Sequence, residues 1–167
     1  MDRRGFSLIE LIVVVGIISV LLAVGTISFN HWTRRQSIDR QVREMYSDVM
    51  SVRQQAMVTG RSYDVAFTTT KNMAFHWYSS EGESRAGGGT LVMRRGLPNA
   101  VVVSPAAPVE FNHRGVAAGE AVLCVFSDVA PVVDALVITP SKVNLGRIKN
   151  QGSKDVSACT KSNIELQ

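Results

Sequence analysis

The chain has 167 residues, a formal net charge of +4 and an apolar share of 46%. That length suits one moderate domain whose core needs neither metal ions nor many disulfides. The positive charge is scattered through small groups such as Arg3-Arg4, Arg34-Arg35 and Arg94-Arg95, which excludes a long arginine-rich arm and fits a solvated basic surface.

The chain opens with a short polar, basic stretch, Met1 to Gly5, and then turns almost purely apolar. Leu11 to Val15, Ile17-Ile18 and Val20 to Val24 are nearly continuous hydrocarbon, with Glu10 set early in the run. As a helix, Phe6 to Phe29 would be about 36 Å long at 1.5 Å per residue, against roughly 30 Å for the hydrocarbon core of a bilayer. The expectation is a membrane span with its basic end in the cytoplasm. The run is long for the apolar region of an ordinary signal peptide. A carboxylate inside it is costly and calls for a partner. Either a neighbouring subunit's terminal amine neutralises Glu10, or Glu10 sits at headgroup level.

The segment Gly5-Phe6-Ser7-Leu8-Ile9-Glu10-Leu11-Ile12-Val13-Val14 resembles the class III signal of type IV prepilins and type II secretion pseudopilins. The resemblance implies that a prepilin peptidase cuts after Gly5 and methylates the new terminal residue, Phe6. It also implies that Glu10 is the family's glutamate at the fifth mature position, used in filament assembly. The expected organisation is a leader over 1–5, a transmembrane and filament-core helix over 6–32, and a periplasmic pseudopilin domain over 33–167. Such a chain crosses the bacterial inner membrane once and is then incorporated into a pseudopilus or pilus.

Beyond the apolar run, Ile38, Val42, Met45, Val49, Val52 and Ala56 recur at intervals of 4, 3, 4, 3 and 4. This is one helical stripe, expected to lie on a sheet. Gly60 is placed as its C-cap. The period then falls to two: Tyr63, Val65 and Phe67, then Met73, Phe75 and Trp77, flank a turn at Thr70-Lys71-Asn72 and predict a hairpin. Glu81 to Gly89 is a polar, glycine-rich loop without P-loop spacing. Short strands are expected at Thr90 to Arg94, Ala100 to Ser104, Val109 to Asn112, Ala121 to Ser127, Ala135 to Thr139 and Lys142 to Lys149, separated mostly by prolines. The fold class is therefore α+β, a long amino-terminal helix, transmembrane and then amphipathic, packed on antiparallel sheet.

Three segments resemble the GspH/FimT group of minor pseudopilins and minor pilins. They are Val42 to Gly60, then Val109-Glu110-Phe111-Asn112-His113-Arg114-Gly115, then Leu136 to Thr139 with Leu145-Gly146-Arg147-Ile148. The resemblance implies a non-catalytic structural subunit that acts in filament initiation or tip assembly. Its partners would be other pilins or pseudopilins, the prepilin peptidase, the inner-membrane assembly platform and exported proteins. Some relatives assist DNA uptake, so the alternative is a DNA-binding minor pilin. Its candidate contacts are Arg94, Arg95, Arg147, Lys149, Lys154 and Lys161, which would attract phosphate without reading bases.

No GxSxG, HExxH or dinucleotide fingerprint occurs, and no cofactor is implied. His31 lies just beyond the apolar run, His76 in a strand that should face solvent, and His113 beside a turn. Zinc held by His113, Cys124 and Cys159 would need distant convergence without a CxxC or HxxxH anchor. Asp128 and Asp134 flank Ala130-Pro131 as a solvated turn or a cation site. Cys124 and Cys159 are expected to form a disulfide that pins the polar tail after Asn150 to the domain.

Overall fold

The computed structural model describes residues 7–79, 89–151 and 154–167, with the backbone alone over 24–28. The chain divides into two units, one ending at Arg34 and one running from Arg35 to Gln167. A single helix, α1 (Leu8–Thr59), contributes to both.

In the first unit, twelve large apolar side chains between Leu8 and Leu22 are between 46% and 78% exposed. They occur all round the helix, so no stripe singles out one face. The expected membrane span over 6–32 is nonetheless overturned, and with it the single-pass inner-membrane placement and the periplasmic assignment. Among the described residues, no helix is long and apolar enough to cross a membrane. The apolar run with described side chains reaches from Leu8 to Ala23. It carries Glu10 in its first turn, where a carboxylate is costly in hydrocarbon.

The second unit is α+β. Ile38, Val42, Met45, Val49, Val52 and Ala56 are all at most 5% exposed, so the 3.6-residue period has placed one face of α1 in the core. Gly60 ends the helix with φ +65°, where a side chain would be strained, and its N–H donates to the Ala56 carbonyl at 3.0 Å. Among the described residues nine strands follow: β1 (Ser62–Thr69), β2 (Asn72–Tyr78), β3 (Thr90–Gly96), β4 (Val102–Ser104), β5 (Val109–Phe111), β6 (Ala121–Cys124), β7 (Ala135–Ile138), β8 (Val143–Ile148) and β9 (Ile164–Leu166). They form two antiparallel sheets, ordered β3-β2-β1-β5 and β4-β6-β7-β8-β9.

The helix stripe shares one core with both sheets. Val65, Phe75 and Phe111 come from the first, and Leu123, Leu136 and Ile138 from the second. Phe67 of the hairpin alternation is only partly buried and packs at the margin of this core. Alternation sends Val122, Cys124, Ala135, Val137 and Ile148 to the opposite face of the second sheet, where Cys159 and Ile164 of the tail cover them. Val137 is thus a core residue, but of this second, smaller cluster.

Polar side chains of α1 hold the loops around it. Asp39 accepts from the Val133 N–H at 2.8 Å. Gln41 donates to the Asn99 carbonyl at 2.9 Å and accepts from the Asn99 N–H at 2.8 Å. Arg53 donates to the Ser141 carbonyl at 2.9 Å. Each satisfies a backbone group that the strand ladders leave over.

Candidate functional site

Gly5 and Phe6 lie outside the described residues. The description begins at Ser7, whose carbonyl accepts the Leu11 N–H at 3.2 Å and so opens α1. Ser7-Leu8-Ile9-Glu10 therefore has the spacing of a capping box, and Glu10 stands where the helix dipole favours a carboxylate. The sequence already carried that signal in Ser-x-x-Glu. Glu10 thus lies in the first turn of α1.

The six candidate DNA contacts are not gathered into one patch. Arg94 and Arg95 lie on β3 of the first sheet, whereas Arg147 lies on β8 of the second and Lys149 just after it, with Lys154 and Lys161 in the tail. Three of them are engaged with carboxylates. Arg95 pairs with Asp48 of α1, one of its bonds being 2.9 Å. Lys154 reaches Asp128 and Lys161 reaches Glu120, both at 2.7 Å. The Arg95 pair is partly buried, and burial raises the Asp48 carboxyl while the Arg95 hydrogen bond and charge hold it down.

The histidines also take definite places. His31 is exposed on α1. His76, expected to face solvent, has a side chain only 22% exposed. Its Nδ1 is 2.8 Å from Asp64 Oδ1, and the Tyr78 hydroxyl donates to Asp64 Oδ2 at 2.6 Å. Strand register places Asp64 opposite His76, which is how a carboxylate on the polar side of the alternation becomes buried with two partners. His113 is half-buried in the turn after β5. There Asn112 Oδ1 accepts the N–H groups of Arg114 and Val116, each at 3.0 Å. Gly115, at φ +69°, closes that turn against α1, since an added Cβ would come within 2.8 Å of Met57 Cγ.

Cys124 and Cys159 are bonded to one another, with Cα atoms 5.8 Å apart, so the disulfide expected from the sequence is present. The three-ligand zinc arrangement is thereby excluded, because both sulfurs are used. Asp128 and Asp134 do not form a pair for a cation either. Asp128 is 61% exposed beside Lys154, and Asp134 is fully buried among N–H donors. Among the described residues, no group of three or more His, Cys, Asp or Glu side chains is placed to hold a metal.

The second unit also carries an apolar concavity. A groove of about 350 Å³ runs between the end of β1 and β4, lined by Ala66, Phe67, Val101, Val103, Pro108 and Val156 among others. Its walls are mainly apolar, with Thr69 and Thr70 at the margin. It offers contact area and no titratable group.

The prokaryotic N-terminal methylation motif matches residues 1–26. No curated protein matches the chain. Among solved structures, the type IV minor pilin FimU of Pseudomonas aeruginosa shares the fold with a TM-score of 0.51 at 13% identity, over 68% of this chain and 91% of that one. The minor pseudopilin EpsH of the type 2 secretion system of Vibrio cholerae gives a TM-score of 0.48 at 12% identity, over 65% and 95%. The likeness to FimU is one of fold.

Proposed function

We propose that the chain is a minor pilin or minor pseudopilin, a non-catalytic structural subunit that acts in the initiation or tip assembly of a type IV pilus or type II secretion pseudopilus. The observation that carries this is a conjunction. An N-terminal methylation motif over residues 1–26 heads a chain whose fold matches 91% of a solved minor pilin. The bare apolar side chains from Leu8 to Leu22 support the same reading. Surface of that kind needs covering, and the same helix on neighbouring subunits would supply it. Gly5 and Phe6 are then the peptidase site, Phe6 the methylated residue, and other pilins or pseudopilins the partners. Glu10 would neutralise the terminal amine of a neighbour, where low dielectric strengthens the attraction.

Intact-mass analysis of the protein from its native host tests the reading. The expected species begins at an N-methylated Phe6. A mature chain beginning beyond residue 25, or an unmodified amine after cleavage elsewhere, would overturn it. The DNA-uptake alternative rests on cations that the fold divides between two sheets and partly pairs, so no observation favours it over assembly.

A further inference from the structure

Asp134 is fully buried and lies at the meeting point of two hydrogen-bond paths. Its Oδ1 accepts the Ile148 N–H at 2.6 Å. Its Oδ2 accepts from Gln151 Nε2 at 2.7 Å. Gln151 Oε1 in turn accepts the Ser127 N–H at 3.1 Å. Both ends of this relay are backbone amides, which can only donate. The Gln151 amide cannot be turned over without aiming its NH₂ at the Ser127 N–H, so the polarity of the whole path is fixed. Everything in it points toward the carboxyl group, which must accept from both sides. An ionised carboxylate can do so. A protonated one carries an O–H that either faces the Gln151 NH₂, donor against donor, or needs a new acceptor in a buried site.

We propose that Asp134 is a proton-sensing clasp: uptake of one proton breaks the Asp134–Gln151–Ser127 relay and loosens the start of the carboxy-terminal tail, while the disulfide and β9 hold the rest of the tail in place. The charged groups that bear on the carboxyl come from two elements, Asp39 on α1 and Arg147 on β8. Burial pushes the Asp134 carboxyl up to about 6, the Ile148 hydrogen bond and the Arg147 charge hold it down, and Asp39 adds to the rise. The transition therefore falls in a mildly acidic range.

The signs of the global and local effects are opposite. Because the folded carboxyl is raised above its ordinary value, its contribution to folding stability is complete at low pH and is lost as pH rises through about 6. The Gln151 contact behaves the other way, present above about 6 and lost below it. A passive buried acid would show the first effect without the second.

The test is a pH titration of the full chain by NMR, following the Asp134 carboxyl carbon and the Ser127 and Ile148 amides. All three should shift with one common midpoint near pH 6. Exchange at the Ser127 amide, corrected for intrinsic rate, should rise about tenfold below that midpoint, the scale of losing one modest hydrogen bond. Asp134→Asn should abolish the inflection at Ser127. Gln151→Ala, at a half-buried residue outside the strands, should keep the carboxyl titration but disconnect Ser127 from it, and it remains informative if the Asn variant fails to fold. Titration of Asp134 without any response at Ser127 in the wild-type chain overturns the proposal, as does a carboxyl that stays in one state from pH 4.5 to 7.5.

Discussion

Two stretches of the same helix solve the same problem in different ways. From Ile38 to Ala56 the apolar residues keep to one face and are buried within the chain. From Leu8 to Leu22 they occur all round the helix and stay bare. Either stretch would gain free energy if its hydrocarbon were removed from water. Only the first has a stripe that a pair of sheets can cover. The second leaves apolar surface whatever face is turned inward, so it can be satisfied only by something surrounding it. The contrast teaches that the distribution of apolar residues round a helix, more than their number, separates surface that a chain buries by itself from surface that it leaves bare.

Core truncation should break the contrast most strongly. Phe75, 1% exposed, packs in the same core as the helix stripe. Phe75→Ala should cost about 3–5 kcal/mol by urea denaturation. Val14→Ala in the bare stretch should leave the midpoint unchanged, since Val14 is 46% exposed. Equal losses from the two would show that the bare stretch is folded against something in the same chain.

The disulfide comes next. Replacing both Cys124 and Cys159 by serine should destabilise the second unit by about 3–4 kcal/mol on the chain-entropy estimate for a loop of this size, measured by thermal unfolding. A chain beginning at Arg35 should show the same loss as the full one. A molten near-UV dichroism spectrum from that shorter chain would erase the division between the two stretches.

A smaller effect is expected where the helix is pinned rather than packed. Asp39→Ala strands the buried Val133 N–H and should cost about 1–3 kcal/mol, with faster hydrogen exchange at Val133. No loss at either readout would mean that water replaces the carboxylate.

Least of all should change at Glu10. Glu10→Ala should leave the unfolding midpoint of the second unit unmoved while lowering incorporation into filaments. Normal incorporation would confine Glu10 to its place at the helix start.

Much of this frame was legible in the residues because local periodicity and long-range packing agree. The intervals of the helix stripe, the hairpin alternation and Gly60 each report a constraint that acts within a few positions. The sequence also named both cysteines, since an exposed polar tail has few other means of attachment.

Other features depend on register between distant segments, to which local patterns are blind. Asp64 is buried because β1 and β2 bring His76 and Tyr78 to it. Arg95 looked like a solvated cation and is held by Asp48, 47 positions away. The tail read only as a polar segment pinned by the disulfide, because β9 is only three residues long and sits in polar surroundings. Its Ile164 nevertheless covers Gly146 so closely that any added Cβ would overlap it. The membrane expectation rested on an apolar run counted from Phe6 to Phe29, whereas among the described residues no helix is long and apolar enough to cross a membrane.

The bond between Cys124 and Cys159 also sets how the domain bears load. Tension applied at the carboxy terminus can peel β9 from β8 one hydrogen bond at a time, a weak mode of resistance. Peeling then meets Cys159, and the force passes covalently into β6, a strand flanked on both sides within its sheet. Between Cys159 and Gln167 eight residues can be drawn out, an extension of about 28 Å at the reach of a stretched chain. Under reducing conditions the same pull would continue into the segment that begins after β8. The disulfide thus acts as a mechanical stop, and its removal would appear as added contour length in a single-molecule trace.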